Sequence, residues 1–220
     1  MLRAVIFDWD GVVVDSSAHH ERSWEILAAQ RGLLLPPDHF KRGFGKKNNM
    51  IIPDLGWASE PAEVDLLAEE KEAIYRSLVR ENGIEPLPGV RRLLEALRSQ
   101  GIPCAIGSST ARPNLDLPLD LMHLREFFAV IVSGEEVTHG KPDPSIFLLA
   151  AERLGFAPSE CVVIEDALVG IEAAQRAGTP VLAVATTNPI EMLSSADAAV
   201  LNMSDINPEL LASLAAPEKK

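Results

Sequence analysis

Two carboxylates stand at the end of a short apolar run near the start of the chain. The stretch AVIFDWDGVVVDS (4–16) places Asp8 and Asp10 directly after four apolar residues, with Trp9 between them. An isolated buried carboxylate is very costly, so paired acids at the end of a buried strand imply a cation beside them. Gly11 then allows a sharp backbone turn. The stretch therefore predicts a strand that delivers two acids to a site.

Polar residues that could act with these acids occur in three later segments. They are Ser108 after CAIG (104–107), Lys141 in GKPDP (140–144), and Glu165 with Asp166 after CVVI (161–164). Acidic and hydroxyl oxygens suit Mg²⁺, which binds few carboxylates and readily shares phosphate oxygens with a protein. A lysine and a hydroxyl could then bind the remaining oxygens of a phosphoryl group. Of two close acids, one could attack phosphorus while the other carries a proton, and the residue pattern leaves open which does which.

Each of these residues also has an ordinary structural explanation. Closely spaced acids often cap turns, and Ser108 by itself suits a turn. The pair Glu165 and Asp166 could begin a helix, whose N-terminal end favours acids. Lys141 before Pro142 could be a solvated charge. The order and spacing of all four segments together favour the chemical interpretation.

The elements that must position these residues are predicted as strands alternating with helices. Short continuous apolar runs lie at 4–7, 104–107, 129–132, 161–164, 180–184 and 198–201. Such runs are typical of strands buried on both faces of a parallel sheet. Helical patterns at 89–101, 143–155 and 165–178 lie between or after them and end in Gly. The alternation predicts a doubly wound, Rossmann-like α/β core, in which the carboxyl ends of the strands meet at one edge and bind the ligand.

Residues 16–84 interrupt this alternation. They contain no convincing strand, whereas SAHHERSWEILAAQRG (17–32) and VDLLAEEKEAIYRSLVREN (64–82) show helical spacing of apolar residues. We therefore predict a catalytic core formed by 1–15 and 85–220, with 16–84 inserted as a helical cap. An insert at this position is expected to cover the acid-bearing strand end and to exclude water from it.

The overall charge limits the classes of partner. The formal net charge is −12, which argues against a nucleic-acid-binding face and against docking on an anionic membrane. No apolar run approaches the ~18 residues of a membrane span. The two cysteines, Cys104 and Cys161, each begin an apolar run and are expected to be buried free thiols. We expect a cytoplasmic monomer that binds a small-molecule phosphate ester, and neither nucleic acid nor membrane.

The four chemical segments together resemble a known superfamily. FDWDGVVVDS, IGSST, GKPDP and VIEDALVGIEAA occur in this order and resemble the four motifs of the haloacid dehalogenase superfamily. The resemblance covers nearly the whole chain, and the helical insert resembles the cap of that superfamily. DSSAHHERSW, LPGVRRLLEAL and EDALVGIEAAQRAG are most similar to the β-phosphoglucomutase-like phosphatase subgroup.

The resemblance implies roles for the residues that would contact substrate. Asp8 would be the nucleophile that forms an aspartyl-phosphate. Asp10 would be the general acid for the leaving group and then the general base for water. Ser108 and Lys141 would bind the phosphoryl group. Because the dehalogenases of the superfamily lack an acid at the position of Asp10, the resemblance implies phosphoryl transfer for this chain.

The resemblance also implies Mg²⁺ as the cofactor. The ion would be bound by the Asp8 carboxylate, the backbone carbonyl of Asp10 and the Asp166 carboxylate. Glu165 would be either a further ligand or a supporting partner of the ligands. This ligand set agrees with the preference of Mg²⁺ for a few carboxylates and a substrate phosphate.

Substrate choice is expected to lie in the insert. His20, one to two helical turns after the first motif, could be a surface or hinge histidine. In the mutase-like subgroup, a histidine at this position helps to couple cap closure to the acid at the position of Asp10. The segment KRGFGKKNN (41–49) is the other candidate, since the mutases carry a lysine and an arginine around a glycine there. Alignment on Gly45 places Phe44 and Asn48 at those two positions, whereas alignment on Gly43 places Arg42 and Lys46 there. The Gly45 register fits the following apolar residues better and weakens the case for a mutase.

Three functions are therefore considered. The first is a Mg²⁺-dependent phosphatase that hydrolyses a small phosphorylated metabolite, such as a sugar phosphate. The second is a β-phosphoglucomutase, which needs the cap to hold the distal phosphate of a bisphosphate. The third is a non-catalytic binding or regulatory protein with a relic site, which the four intact motifs disfavour.

Overall fold

The computed structural model describes residues 1–43 and 47–215, apart from the side chains of Phe40 and Lys41. The chain divides into two compact units. One comprises Met1–Asp15 and Ile84–Lys220, and the other comprises Ser16–Gly83. That the second unit acts as a cap stays a prediction.

A parallel sheet forms the centre of the first unit. Its strands are β1 (Ala4–Phe7), β2 (Cys104–Gly107), β3 (Phe128–Val132), β4 (Cys161–Glu165), β5 (Val181–Val184) and β6 (Ala198–Val200). They lie in the order β3-β2-β1-β4-β5-β6, and every neighbouring pair is parallel. Each predicted apolar run forms a strand, with ends that differ by at most one residue from the prediction. Pro180 precedes β5 rather than beginning it.

Helices connect the strands and form the second unit. They are α1 (Ser17–Arg31), α2 (His39–Gly43), α3 (Asn48–Asp54), α4 (Pro61–Asn82), α5 (Val90–Ser99), α6 (Arg112–Leu121), α7 (Ser145–Leu154), α8 (Leu168–Ala177) and α9 (Pro208–Leu214). The sequence predicted α1, α4, α5, α7 and α8. It did not predict α2, α3, α6 or α9. Of these, α6 contains Pro113 in its first turn and Pro118 inside it. Proline is tolerated at a helix start but disfavours a helix interior, so the local pattern concealed this helix.

The core of the first unit explains why the strands are continuously apolar. Ala4 and Ile6 of β1 belong to a buried cluster with Phe147 of α7 and Ile171 of α8. Successive side chains of a strand point to opposite faces, so Val5, which is also fully buried, faces the other side of the sheet. Both faces are therefore covered, and the predicted doubly wound α/β class is confirmed.

The second unit has a hydrophobic core of its own. Trp24 of α1 and Trp57 pack edge to face with ring centroids 5.6 Å apart. Ile52 of α3 and Leu67 of α4 complete the same cluster. Within the part of the chain that the structure describes, this unit contains helices and no strand. Across the described residues of both units, no helix is long and apolar enough to cross a membrane.

Candidate active site

The carboxyl ends of β1 and β4 bring three acids to one lysine. Asp8 follows β1, Glu165 ends β4, and Asp166 follows it. Ligand oxygens of these three carboxylates all lie within 4.8 Å of one another. Lys141, from the segment between β3 and α7, places Nζ 2.6 Å from Asp8 Oδ1 and 2.6 Å from Glu165 Oε1. Residues far apart in sequence therefore form one buried cluster.

Two glycines allow this close approach. Gly11 has φ +81°, and a Cβ there would lie 1.9 Å from Asp166 Oδ2. A Cβ at Gly170, in the first turn of α8, would lie 1.7 Å from Glu165 Oε1. Any larger residue at either position would displace a carboxylate of the cluster. The turn after β1 and the start of α8 are thus built around these acids.

Burial and mutual repulsion dominate the electrostatics of the acids. Burial raises the pKa of Asp8 to about 7, with Glu165 and Asp10 adding to the effect and the Lys141 ammonium opposing it. Burial also raises the pKa of Asp166 to about 9, and the charges of Glu165 and Asp8 act in the same direction. Burial alone would lower the pKa of Lys141, but Asp8 and Glu165 outweigh it and raise that pKa. The cluster therefore favours a cation beside it.

Glu165 has both of its carboxylate oxygens occupied. Oε1 accepts a hydrogen bond from Lys141. Oε2 accepts from the backbone N–H groups of Asp166 and Ala167, each at 2.7 Å. These contacts fix the Glu165 side chain, which is 1% exposed. Its geometry suits a group that orients Lys141 and the start of α8.

The other predicted residues of the core lie at the end of β2 and after β1. Ser108 follows β2 and is buried, and its Oγ accepts a hydrogen bond from the backbone N–H of Thr110 at 3.1 Å. Thr110 Oγ1 donates to Asp10 Oδ2 at 2.6 Å. The IGSST motif after β2 and Asp10 of the first motif are therefore in contact. Thr110 is the last residue of the IGSST motif, but the sequence did not predict this bond.

Sequence reasoning missed a segment after β5 that contacts the acids. Thr187 Oγ1 donates to Asp166 Oδ2, and Asn188 Nδ2 donates to the Asp166 carbonyl at 3.0 Å. Thr186 Oγ1 donates to the Gly11 carbonyl. A run of polar residues beginning two positions after a predicted parallel strand is the signal that could have identified them.

Comparison with known proteins identifies the family. A family model described as haloacid dehalogenase-like hydrolase matches residues 2–178. The chain belongs to the haloacid dehalogenase-like hydrolase family. The superfamily resemblance on which the sequence-based expectations depended is thereby confirmed.

This hydrolase is similar to individual phosphatases and to a β-phosphoglucomutase within the family. It is 35% identical over 182 residues to a phosphorylated carbohydrates phosphatase from Thermotoga maritima, covering 80% of this chain and 82% of the relative. It is 34% identical over 206 residues to a chloroplastic 5-amino-6-(5-phospho-D-ribitylamino)uracil phosphatase from Arabidopsis thaliana; this match covers 92% of the chain but only 55% of that longer relative. The solved structure of a β-phosphoglucomutase from Clostridium difficile matches with a TM-score of 0.84 and 28% identity, covering 98% of this chain and 97% of that chain.

These relatives agree with the sequence-based classification of the hydrolase. The predicted β-phosphoglucomutase-like subgroup and the predicted class of phosphoric monoester hydrolase are confirmed. The individual roles of the site residues stay predictions, and the geometry above is what supports them.

The second unit of the hydrolase holds the remaining predicted residues. Lys71 Nζ, on α4, lies 2.6 Å from His20 Nδ1 and 2.9 Å from Glu72 Oε1. Asn48 Nδ2 donates to the same Glu72 oxygen at 2.6 Å. The imidazole of His20 stacks on Tyr75 with centroids 4.1 Å apart. His20 and Asn48 are thus parts of one polar cluster.

One predicted residue of the second unit cannot be placed. Lys46 lies outside the described residues, as do Phe44 and Gly45 of the favoured register. The choice between the two registers of 41–49 therefore stays a prediction.

The core cluster has the donor set expected of a divalent cation site. Its three acids are buried and face one lysine, so negative charge predominates when they are ionised. Among the described residues, Asp8 accepts a side-chain hydrogen bond at Oδ1 and Asp166 at Oδ2. This leaves one oxygen of each carboxylate to bind an ion. Hard carboxylate oxygens without nitrogen or sulfur ligands suit Mg²⁺ rather than zinc.

Proposed function

We propose that this hydrolase removes the phosphoryl group from a small phosphorylated metabolite of the sugar phosphate class, with Mg²⁺ as cofactor and Asp8 as nucleophile. The buried contact of Lys141 with both Asp8 and Glu165 carries the proposal. Such a cluster at the carboxyl edge of a parallel sheet offers an anionic nucleophile beside a fixed positive charge. The similarity to a phosphorylated carbohydrates phosphatase supports the substrate class.

The reaction would use the two acids of the first motif in turn. An Asp8 carboxylate oxygen attacks phosphorus, and the bond from phosphorus to the ester oxygen breaks. Asp10 gives its proton to the leaving alkoxide. The Asp10 carboxylate then takes a proton from water, whose oxygen attacks the phosphorus of the aspartyl-phosphate. The bond to Asp8 breaks, and inorganic phosphate leaves with both acids restored.

The surrounding residues would hold this arrangement in place. Thr110 Oγ1 donates to Asp10 Oδ2, so it orients the carboxyl group that exchanges protons. Ser108 and Lys141 would bind phosphoryl oxygens by hydrogen bond and by charge. Lys141 is suited to this because its ammonium is already desolvated and held by Glu165.

Mg²⁺ would be held by the carboxylates of Asp8 and Asp166 and by the backbone carbonyl of Asp10. When bound, it would supply the positive charge that stabilises negative charge on the transferring phosphoryl group. Glu165 would support this set through Lys141 and the start of α8, since both of its oxygens accept hydrogen bonds.

A panel of phosphate esters, assayed with Mg²⁺ and with excess chelator, tests the proposal. We expect phosphate release from sugar monophosphates with Mg²⁺ and loss of that activity with chelator. Asp8→Asn should abolish turnover, because an amide cannot attack phosphorus. Asp65→Asn, an exposed acid on α4, is the matched control and should keep full activity. Turnover by Asp8→Asn close to that of the wild type would refute the mechanism and revive a non-catalytic role for the site.

A β-phosphoglucomutase is the second candidate, favoured by the structural match to such an enzyme. The deciding assay supplies β-glucose 1-phosphate with catalytic bisphosphate and follows glucose 6-phosphate and free phosphate. We expect free phosphate alone, because in the Gly45 register Asn48 stands where a mutase carries a basic residue. Glucose 6-phosphate forming much faster than phosphate would overturn this and favour the register with Arg42 and Lys46.

A further inference from the structure

The segment that follows β5 joins two parts of the site through polar side chains. Thr187 Oγ1 donates to the Asp166 carboxylate, and Asn188 Nδ2 donates to the Asp166 carbonyl at 3.0 Å. Thr186 Oγ1 donates to the carbonyl of Gly11, in the turn after Asp10. Consecutive residues of one loop therefore contact both the first acidic segment and the last.

The Thr187 hydroxyl determines which oxygen of Asp166 is engaged within the protein. It binds Oδ2, whereas Oδ1 accepts no hydrogen bond among the described residues. The backbone of Gly11 packs closely against the same oxygen. A Cβ at Gly11 would lie 1.9 Å from Asp166 Oδ2 and 2.9 Å from Thr187 Oγ1. Asp166 is 3% exposed as a residue, so water offers its carboxylate few alternative partners. The hydroxyl thus holds one carboxylate oxygen and leaves the other for a ligand.

We infer that Thr187 is a positioning residue for Mg²⁺ binding, which fixes the Asp166 carboxylate so that its second oxygen is presented to the ion. This inference rests on the proposed function, since that function requires Mg²⁺ at Asp166. Groups that hydrogen-bond a metal ligand orient it before the metal arrives. Without the Thr187 hydroxyl, Mg²⁺ binding itself must order the Asp166 carboxylate, and this ordering reduces the binding free energy.

The test measures Mg²⁺ binding by isothermal titration calorimetry on the full chain, without substrate. Thr187→Val removes the hydroxyl and keeps the shape of the side chain. We expect its dissociation constant for Mg²⁺ to rise about 10- to 100-fold, the usual effect of losing a hydrogen bond to a metal ligand. Thr187→Ser keeps the hydroxyl and should bind Mg²⁺ within a few-fold of the wild type.

Thr179→Val is the matched control. Thr179 is also in the first unit, and its buried Oγ1 has no hydrogen-bond partner among the described residues. The same substitution there should leave the Mg²⁺ dissociation constant unchanged. Unfolding midpoints in chelator establish that all three variants are folded before titration.

The outcomes separate this inference from the proposed function. Equal Mg²⁺ affinity of the wild type and Thr187→Val would overturn the role of Thr187 and leave the magnesium site standing. Failure of Thr187→Ser to restore affinity would also overturn it. Absence of Mg²⁺ binding by the wild type would overturn both the proposed cofactor and this inference. Weakened binding by Thr187→Val, with Thr187→Ser and Thr179→Val near the wild type, would establish the role.

Discussion

The ammonium group of Lys141 lies between two buried carboxylates, where it pairs with both and is proposed to bind substrate. Its side chain is 7% exposed, and it contacts Asp8 and Glu165 at 2.6 Å. Removing one partner of a buried ion pair leaves an uncompensated charge, and the usual cost is 3–5 kcal/mol. A residue proposed to bind substrate is thus also part of what holds the strand ends together.

We expect Lys141→Met to lower phosphate release by orders of magnitude and the free energy of unfolding by about 3–5 kcal/mol. Methionine has a similar length and no charge, so the acids lose their partner while the space stays filled. Urea unfolding in chelator and a phosphate-release assay measure the two effects. Arg176→Met removes an exposed ion pair with Glu172 and should cost less than about 1 kcal/mol. Activity of Lys141→Met within twofold of the wild type would show that the ammonium does not bind substrate.

For individual residues, the sequence predicted which polar residues lie at strand ends better than it predicted which other residues they contact. Asp8, Ser108 and Asp166 were identified because the polar groups that follow several predicted strands occur together in a particular order and spacing. Thr187 lies three residues after β5 and outside the four segments, and it is an ordinary turn residue by sequence. Its bond to Asp166 depends on the neighbouring positions of β4 and β5, which local sequence does not encode.

Helix α4 carries a buried charge pair on adjacent residues. The side chain of Lys71 is 3% exposed and that of Glu72 is 17% exposed, with 2.9 Å between Nζ and Oε1. Burial raises the pKa of Glu72, but the positive charges of Lys71 and His20 and the hydrogen bonds from Asn48 and Lys71 outweigh it and lower that pKa to about 2. The ionised carboxylate of Glu72 therefore stabilises the folded state.

Because the pKa of Glu72 is lowered, the difference in stability between the wild type and Glu72→Gln should depend on pH. The stabilisation is present above the unfolded pKa, near pH 4.5, and is lost as the pH falls through about 2. At pH 6 the wild type should exceed Glu72→Gln by about 3 kcal/mol in free energy of unfolding, and the gap should close near pH 2. Urea unfolding at several pH values, followed by tryptophan fluorescence, measures it.

A second glutamate on the same helix provides the control. Glu70 pairs with Arg31 at the surface of the second unit, where solvent screens the interaction. Glu70→Gln should therefore change stability by less than about 1 kcal/mol at every pH. A gap for Glu72→Gln that stays constant from pH 6 to pH 2 would contradict the assigned pKa.

Among the elements, strands were easier to predict than some helices. The buried strands are short and continuously apolar, so composition alone marks them. Helix α6 was missed because Pro118 lies inside it, and tertiary packing of Leu115 and Leu119 stabilises it regardless. The starts of α7 and α8 lie two and three residues after the predicted ones. Before α8, Glu165 and Asp166 belong to the acid cluster and not to the helix.

The whole molecule is acidic, and its buried acids add to a formal net charge of −12. A divalent cation bound to the folded state would relieve repulsion among Asp8, Glu165 and Asp166. A ligand present at 100 times its dissociation constant stabilises the folded state by about 2.7 kcal/mol. Cytoplasmic location and a monomeric state stay predictions.

We therefore expect Mg²⁺ to raise the thermal unfolding midpoint of the chelator-treated protein. Differential scanning fluorimetry at fixed pH measures the shift. NaCl at equal ionic strength controls for general screening of the acidic surface, and Asp166→Asn should lose most of the specific shift. A midpoint that rises equally with NaCl and with Mg²⁺ would mean that no cation binds at the acid cluster.

The position of β1 in the sheet has a consequence for synthesis of the chain. β1 is made first, yet it lies between β2 and β4, whose residues Cys104–Gly107 and Cys161–Glu165 leave the ribosome much later. The helical unit, with its own hydrophobic core, is complete in that interval. The cluster that includes both Lys141 and Glu165 can form around Asp8 only after β4 has emerged. A nascent chain that ends before Cys161 therefore lacks the proposed phosphoryl-transfer centre, so the proposed activity requires synthesis through β4.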